Sequence, residues 1–122
     1  MASSTKVLSI GLGDLVTARN ATLRASGFDV MAVTTMEEAA RACWLTDYDV
    51  AIVGYAFTNE EKSLLVRCVQ AIFQVPVILI TDGESLGSLR ADSYIHVDAP
   101  PEELIHAIGT VVESKSLRSA AS

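Results

Sequence analysis

Two hydrophobic rhythms take turns along the chain. Short, continuous apolar runs recur five times: KVLSIGL from Lys6, FDVMAVT from Phe28, DVAIVG from Asp49, VPVILIT from Val75 and SYIHV from Ser93. Runs of this length, rich in Val and Ile, predict strands. Their near-continuous apolarity predicts a sheet covered on both faces. Between them, apolar residues fall three and four apart, the spacing of amphipathic helices. DLVTARNATLRASG follows the first run, with Asp14 placed as N-cap and Gly27 as the C-terminal stop. Thr35-Met36-Glu37-Glu38 and Thr58-Asn59-Glu60-Glu61 both have capping-box spacing, in which a Thr oxygen and a Glu three residues on satisfy each other's backbone donors. The second helix then sets Met36, Ala39, Ala40 and Cys43 on one face. The third sets Leu64, Leu65, Cys68, Val69, Ile72 and Phe73 there. Pro100 and Pro101 suit the first turn of a last helix, whose stripe is Leu104, Ile105, Ile108, Val111 and Val112.

Strand followed by helix, five times over, predicts a doubly wound (βα)5 α/β sandwich with a parallel sheet. Right-handed crossovers favour the flavodoxin-like strand order 2-1-3-4-5. The 122 residues fit one domain with a sizeable core, placed at about residues 6–114, with the polar tail 115–122 expected to fray. In such sheets ligands bind at the carboxyl ends of the strands. The residues that decide function are therefore Gly11-Leu12-Gly13-Asp14, Thr34-Thr35, Gly54-Tyr55-Ala56, Thr81-Asp82-Gly83-Glu84 and Val97-Asp98.

Composition narrows the choice of function. Half the residues are hydrophobic, which argues against disorder. A net charge of −6 without a Lys/Arg cluster argues against nucleic acid as a partner. No apolar run is long enough to span a bilayer, and the first residues lack signal-peptide organisation. The expectation is a cytoplasmic protein with no membrane partner. Cys43 and Cys68 lack metal-ligand spacing and read as reduced core thiols.

Gly11-Leu12-Gly13 has the start of a dinucleotide fingerprint. Val16 stands at its third position, however, and no acid follows strand two. Asp14, Asp82, Glu84 and Asp98 share the sheet edge and could gather a divalent cation. The plainer reading makes Asp14 and Asp98 helix caps, and Asp82 and Glu84 solvated loop residues. His96 and His106 are isolated, and no Ser sits in a nucleophile elbow. No enzyme activity, metal or cofactor is expected. Trp44 closes the second helix, either as an exposed anchor for a partner or packed on the start of strand three.

With the strands laid out, the chain resembles the receiver domain of two-component response regulators from about Lys6 to Ser114. The residues that carry the likeness are KVLSIG, GFDV, MEEAARA, YDVAIVG, VPVILIT and YIHVDAPPEEL, in that order. The resemblance implies a CheY-like fold. It also implies an acceptor Asp ending strand three, an acid pair after strand one that holds Mg²⁺, and a Lys after strand five. A Ser or Thr after strand four and an aromatic in strand five then act as the switch. Here Gly11 and Leu12 stand at the acid pair, Gly54 at the acceptor and Val97 at the Lys; only Thr81 and Tyr94 keep their types. The short spacing from Thr81 to Tyr94 implies a stunted fourth helix over Ser85 to Arg90.

The resulting expectation is a stand-alone, degenerate pseudo-receiver, a phosphorylation-independent module that binds a signalling kinase, a regulator or itself. Homodimerisation would use the face of the fourth helix, fifth strand and fifth helix, with Thr81, Tyr94, Glu102, Glu103 and His106. The alternative is a small ligand- or metal-binding domain built on Asp14, Asp82, Glu84 and Asp98.

Overall fold

Five parallel strands form one sheet in the order β2-β1-β3-β4-β5: β1 Lys6–Ile10, β2 Asp29–Val33, β3 Val50–Val53, β4 Val77–Thr81 and β5 Ser93–His96. The structure, a computed structural model, describes residues 5–54, 57–82 and 91–121. The order is the one the sequence predicts. Register is continuous across the sheet, with Val7 opposite Val30 and Val50, and Ile78 opposite Ile52 and Ser93. Side-chain alternation sends Val7, Val50, Ile52, Ile78 and Ile80 to one face and Leu8, Ile10, Ala51, Val53 and Leu79 to the other. Helices α1 (Asp14–Ala25) and α4 (Pro101–Ala121) cover the first face, through Leu23, Leu104, Ile108 and Val111. Helices α2 (Met36–Leu45) and α3 (Asn59–Arg67) cover the second, through Ala39, Leu65, Val66 and Val69. Both faces are therefore core, which is why β1, β3 and β4 carry almost no polar residue.

The helix ends agree with their sequence signals in part. Gly27, at φ 99°, closes α1 in a Schellman motif, with Phe28 N–H donating to Leu23 O and Gly27 N–H to Arg24 O. At the other end the N-cap is Gly13, not Asp14. Gly13 takes φ 103°, which other residues avoid, so the chain enters the helix one residue early. Asp14 becomes the first helical residue, favourable through the helix dipole alone. The Thr58–Glu61 capping box is complete, at 3.1 and 2.9 Å. The Thr35 box is half formed. Thr35 Oγ1 accepts from Glu38 N–H, but the Glu38 carboxylate turns to Thr34, taking its N–H at 2.9 Å and its hydroxyl at 2.6 Å. Those two bonds hold the exposed Glu38 carboxyl below its ordinary range. Replacing Thr58 by alanine should cost about 1 kcal/mol, a fall of roughly 3–5 °C in Tm by calorimetry.

Three packing expectations change. Residues 34–38 are all exposed, so α2 starts clear of the sheet; Met36 is solvated, Ala39 is buried, and Ala40 and Cys43 are half-buried. On α3 the buried stripe is Lys62, Leu65, Val66 and Val69, while Leu64 and Ile72 face solvent. Leu64 lies off that stripe within the regular helix, and a π-helical turn, Cys68–Ile72, continues α3. Its extra residue per turn carries Ile72, at the end of the turn, off the 3.6-residue stripe. Trp44 is 77% exposed and meets Phe73 edge-to-face at 5.6 Å, so it does not pack on β3. Position 44 lies about 100° around the helix from Cys43, off the covered face.

Helix α4 extends to Ala121, past the Ser114 boundary read from the sequence. Cys43 and Cys68 are both free thiols. Among the described residues no helix is long and apolar enough to cross a membrane. Tyr55, Glu84 and the short fourth helix expected over Ser85 to Arg90 lie outside the described residues.

Candidate functional site at the carboxyl ends of the strands

The ladders of the central strands run one residue past the strand ends. Gly11 N–H donates to Val33 O at 3.0 Å, Gly54 N–H to Ile10 O at 2.9 Å and Val97 N–H to Thr81 O at 2.8 Å. Gly11 and Gly54 are therefore side by side, both buried, with backbone where side chains would otherwise stand. A Cβ on Gly54 would lie 3.3 Å from Ile10 O and 3.5 Å from Gly11 Cα. A Cβ on Gly11 would lie 2.9 Å from Val16 Cγ2, inside van der Waals contact. Val16 projects from the first turns of α1 and closes the gap between β1 and β3. It is a β-branched residue on a helix, where χ1 is nearly fixed, so it cannot easily swing aside.

The other residues singled out at this edge divide by burial. Val97 is half-buried and packs on the α1/α4 core, and Thr81 is half-buried at the end of β4. Leu12 is 58% exposed, so it is no core substitute for an acid; it lies in solvent beside Leu15. Asp14, Asp82 and Asp98 are all exposed. Among the described residues no three of His, Cys, Asp and Glu come together as a metal ion would require. Asp98 is not a cap for α4, which starts at Pro101 with Glu103 N–H donating to Pro100 O. Instead Asp98 N–H donates to His96 Nδ1 at 3.1 Å. Asp98 Oδ2 approaches the same nitrogen at 3.8 Å.

Tyr94 sits on the edge strand at 44% exposure, and its hydroxyl accepts from Ala91 N–H at 3.0 Å. Glu102, Glu103 and His106 are exposed on the first two turns of α4, which packs against β5. Three and four residues apart, they share one helix face.

Sequence reasoning missed Arg19. The buried stripe of α1 is Val16, Asn20 and Leu23, and Arg19 belongs to the same i, i+3, i+4, i+7 pattern. An Arg and an Asn inside an apolar helical stripe was the signal available. Arg19 reaches the fully buried Ser9 of β1, with Nη2 3.4 Å from Ser9 Oγ, and burial pushes its guanidinium pKa down to about 10.

No family model matches this sequence, and no curated protein matches it. Solved structures do match. The signal receiver domain of an HD domain-containing protein from Pseudomonas fluorescens Pf-5 superposes with TM-score 0.83 at 14% identity, over 98% of this chain and 95% of that one. The N-terminal domain of a response regulator/sensory box/GGDEF three-domain protein from Carboxydothermus hydrogenoformans gives 0.81 at 18%, over 94% and 99%. A receiver domain of a sensor histidine kinase from Pseudomonas aeruginosa PAO1, with a magnesium ion coordinated in its active-site cleft, gives 0.74 at 18%, over 91% and 99%. The chain therefore has the CheY-like receiver fold across nearly its full described length.

Proposed function

We propose that this chain is a pseudo-receiver, a non-enzymatic signalling module that works through protein contacts and without phosphorylation. The observation that supports it most strongly is the closure of the strand-end cleft. Gly11 and Gly54 bring backbone to backbone, and Val16 occupies the space above them. Phosphoryl transfer in this fold needs a carboxylate acceptor, a hard-cation site made of carboxylates, and a cation to offset the developing charge. The positions that would supply them hold Gly11, Leu12, Gly54 and Val97.

Two exposed surfaces support the binding role. One is the β5–α4 edge with Tyr94, Glu102, Glu103 and His106, which suits a second copy of the chain or a signalling kinase or regulator. The other is the apolar patch of Trp44, Leu45 and Ile72, in which Trp is the residue type most enriched at interface hot spots.

Titration with beryllofluoride in millimolar Mg²⁺, followed by amide chemical shifts, tests the reading. No saturable shift is expected at Gly11, Gly54, Thr81 or Val97. A saturable one at these residues would overturn the proposal.

A further inference from the structure

Between α1 and the start of α4 a groove of about 220 Å³ opens on the face of the sheet. Its floor and walls are apolar, from Leu15, Val16, Ile80, Ile95, Val97 and Leu104. Arg19 and His96 also line it, and among the described residues no Asp or Glu does, in a chain whose net charge is −6. The guanidinium is poorly satisfied. Arg19 makes one long bond, to Ser9, and its Nε is buried without a protein partner. Among the described residues no carboxylate pairs with it. A buried cation is normally paired, because desolvation is otherwise uncompensated. Here burial lowers the pKa to about 10 with no opposing interaction from an acid.

We propose that this groove is a binding site for a small amphipathic carboxylic acid. The carboxylate meets Arg19, and the apolar body lies along Ile80, Ile95 and Leu104. The guanidinium has the planar donor fork that a carboxylate matches, so the ligand supplies the missing counter-charge. At about 220 Å³ the groove has room for a short alkyl or aryl acid. Leu15, which lines the groove, is itself exposed. The site shares Val16 and Val97 with the strand-end cleft but turns on Arg19, which the pseudo-receiver reading does not use, so failure of octanoate binding would leave that reading intact.

Sodium octanoate is the probe, with octylamine as the control of equal length and opposite charge. Amide shifts over α1, β5 and the first turns of α4 report binding. Octanoate should bind at about millimolar Kd or tighter, within the efficiency expected of so small a ligand. It should exceed octylamine by at least about tenfold, the discrimination a charge-assisted hydrogen bond supplies. Non-specific attraction to this acidic chain would give the opposite order. The Arg19→Met variant keeps the stem volume and removes a half-buried charge that no described carboxylate pairs. It should fold, melt at or above the wild-type temperature, and lose the preference for octanoate. Arg19→Lys should keep a reduced part of it. Equal binding of the two probes, no binding of octanoate, or an unchanged preference in Arg19→Met would each overturn the site.

Discussion

Alanine at Ile78 and alanine at Leu79 should each lower the unfolding free energy by about 3 kcal/mol, read from urea midpoints at constant m. These neighbours on β4 are both fully buried, but they point to opposite faces. Ile78 packs in the α1/α4 cluster and Leu79 in the α2/α3 cluster. Each truncation removes about three buried side-chain carbons and leaves a cavity that a close-packed core refills only partly. The pair tests the two-sided architecture directly. A sheet covered on one face only would lose stability at one position and tolerate alanine at the other, a difference of roughly 2 kcal/mol or more. A loss at both, of similar size, is the signature of a fully sandwiched sheet.

The second large effect is expected at Gly11. Gly11→Ala should cost about 1–2 kcal/mol, because the new Cβ overlaps Val16 Cγ2 and the valine rotamer has little freedom to yield. Gly11→Asp should cost about 3 kcal/mol or more at pH 7. The added carboxylate is brought against Val16 and the Gly54 backbone, so a buried-charge penalty is added to the overlap. Burial raises the folded-state pKa of such a carboxyl above its unfolded value of about 3.9. The charge penalty is then complete above the folded pKa, shrinks as pH falls through it, and vanishes below the unfolded pKa. The alanine variant, which adds no charge, should show no such pH dependence relative to wild type. Comparing the two separates overlap from charge. Recovery of Gly11→Asp stability on adding Mg²⁺ would reveal a surviving hard-cation site and count against the pseudo-receiver reading.

The strand-end cleft was legible to the extent that it depends on residue type. That positions 11, 54 and 97 carry no acid or lysine is a matter of sequence, and so is the survival of Thr81 and Tyr94. What stands in the vacated space is not. Leu12, at an acid-pair position, lies in solvent, whereas Val16, a turn into α1, closes the cleft. A strand end and a helix residue meet there because Gly13 takes a positive φ and turns the chain back sharply. Local pattern contains no such distance. Arg19 was overlooked for a related reason. A charged residue on a helix is ordinarily solvated, and only the packing of α4 beside α1 encloses it.

Strand number, strand order and the covering of both faces followed from the sequence alone. They depend on periodicity and on the handedness of crossovers, and both act through the local geometry of every residue. The Schellman stop at Gly27 and the capping box at Thr58 followed likewise, since their partners lie within a few residues of one another. Tertiary structure decided the rest. It carried Ile72 into solvent at the end of a π turn and left Trp44 exposed against Phe73. It also assembled an uncompensated arginine and an apolar groove from α1, β4, β5 and α4. Each of these outcomes turns on which side chains from distant segments compete for the same volume. That competition is resolved only when the helices dock on the sheet.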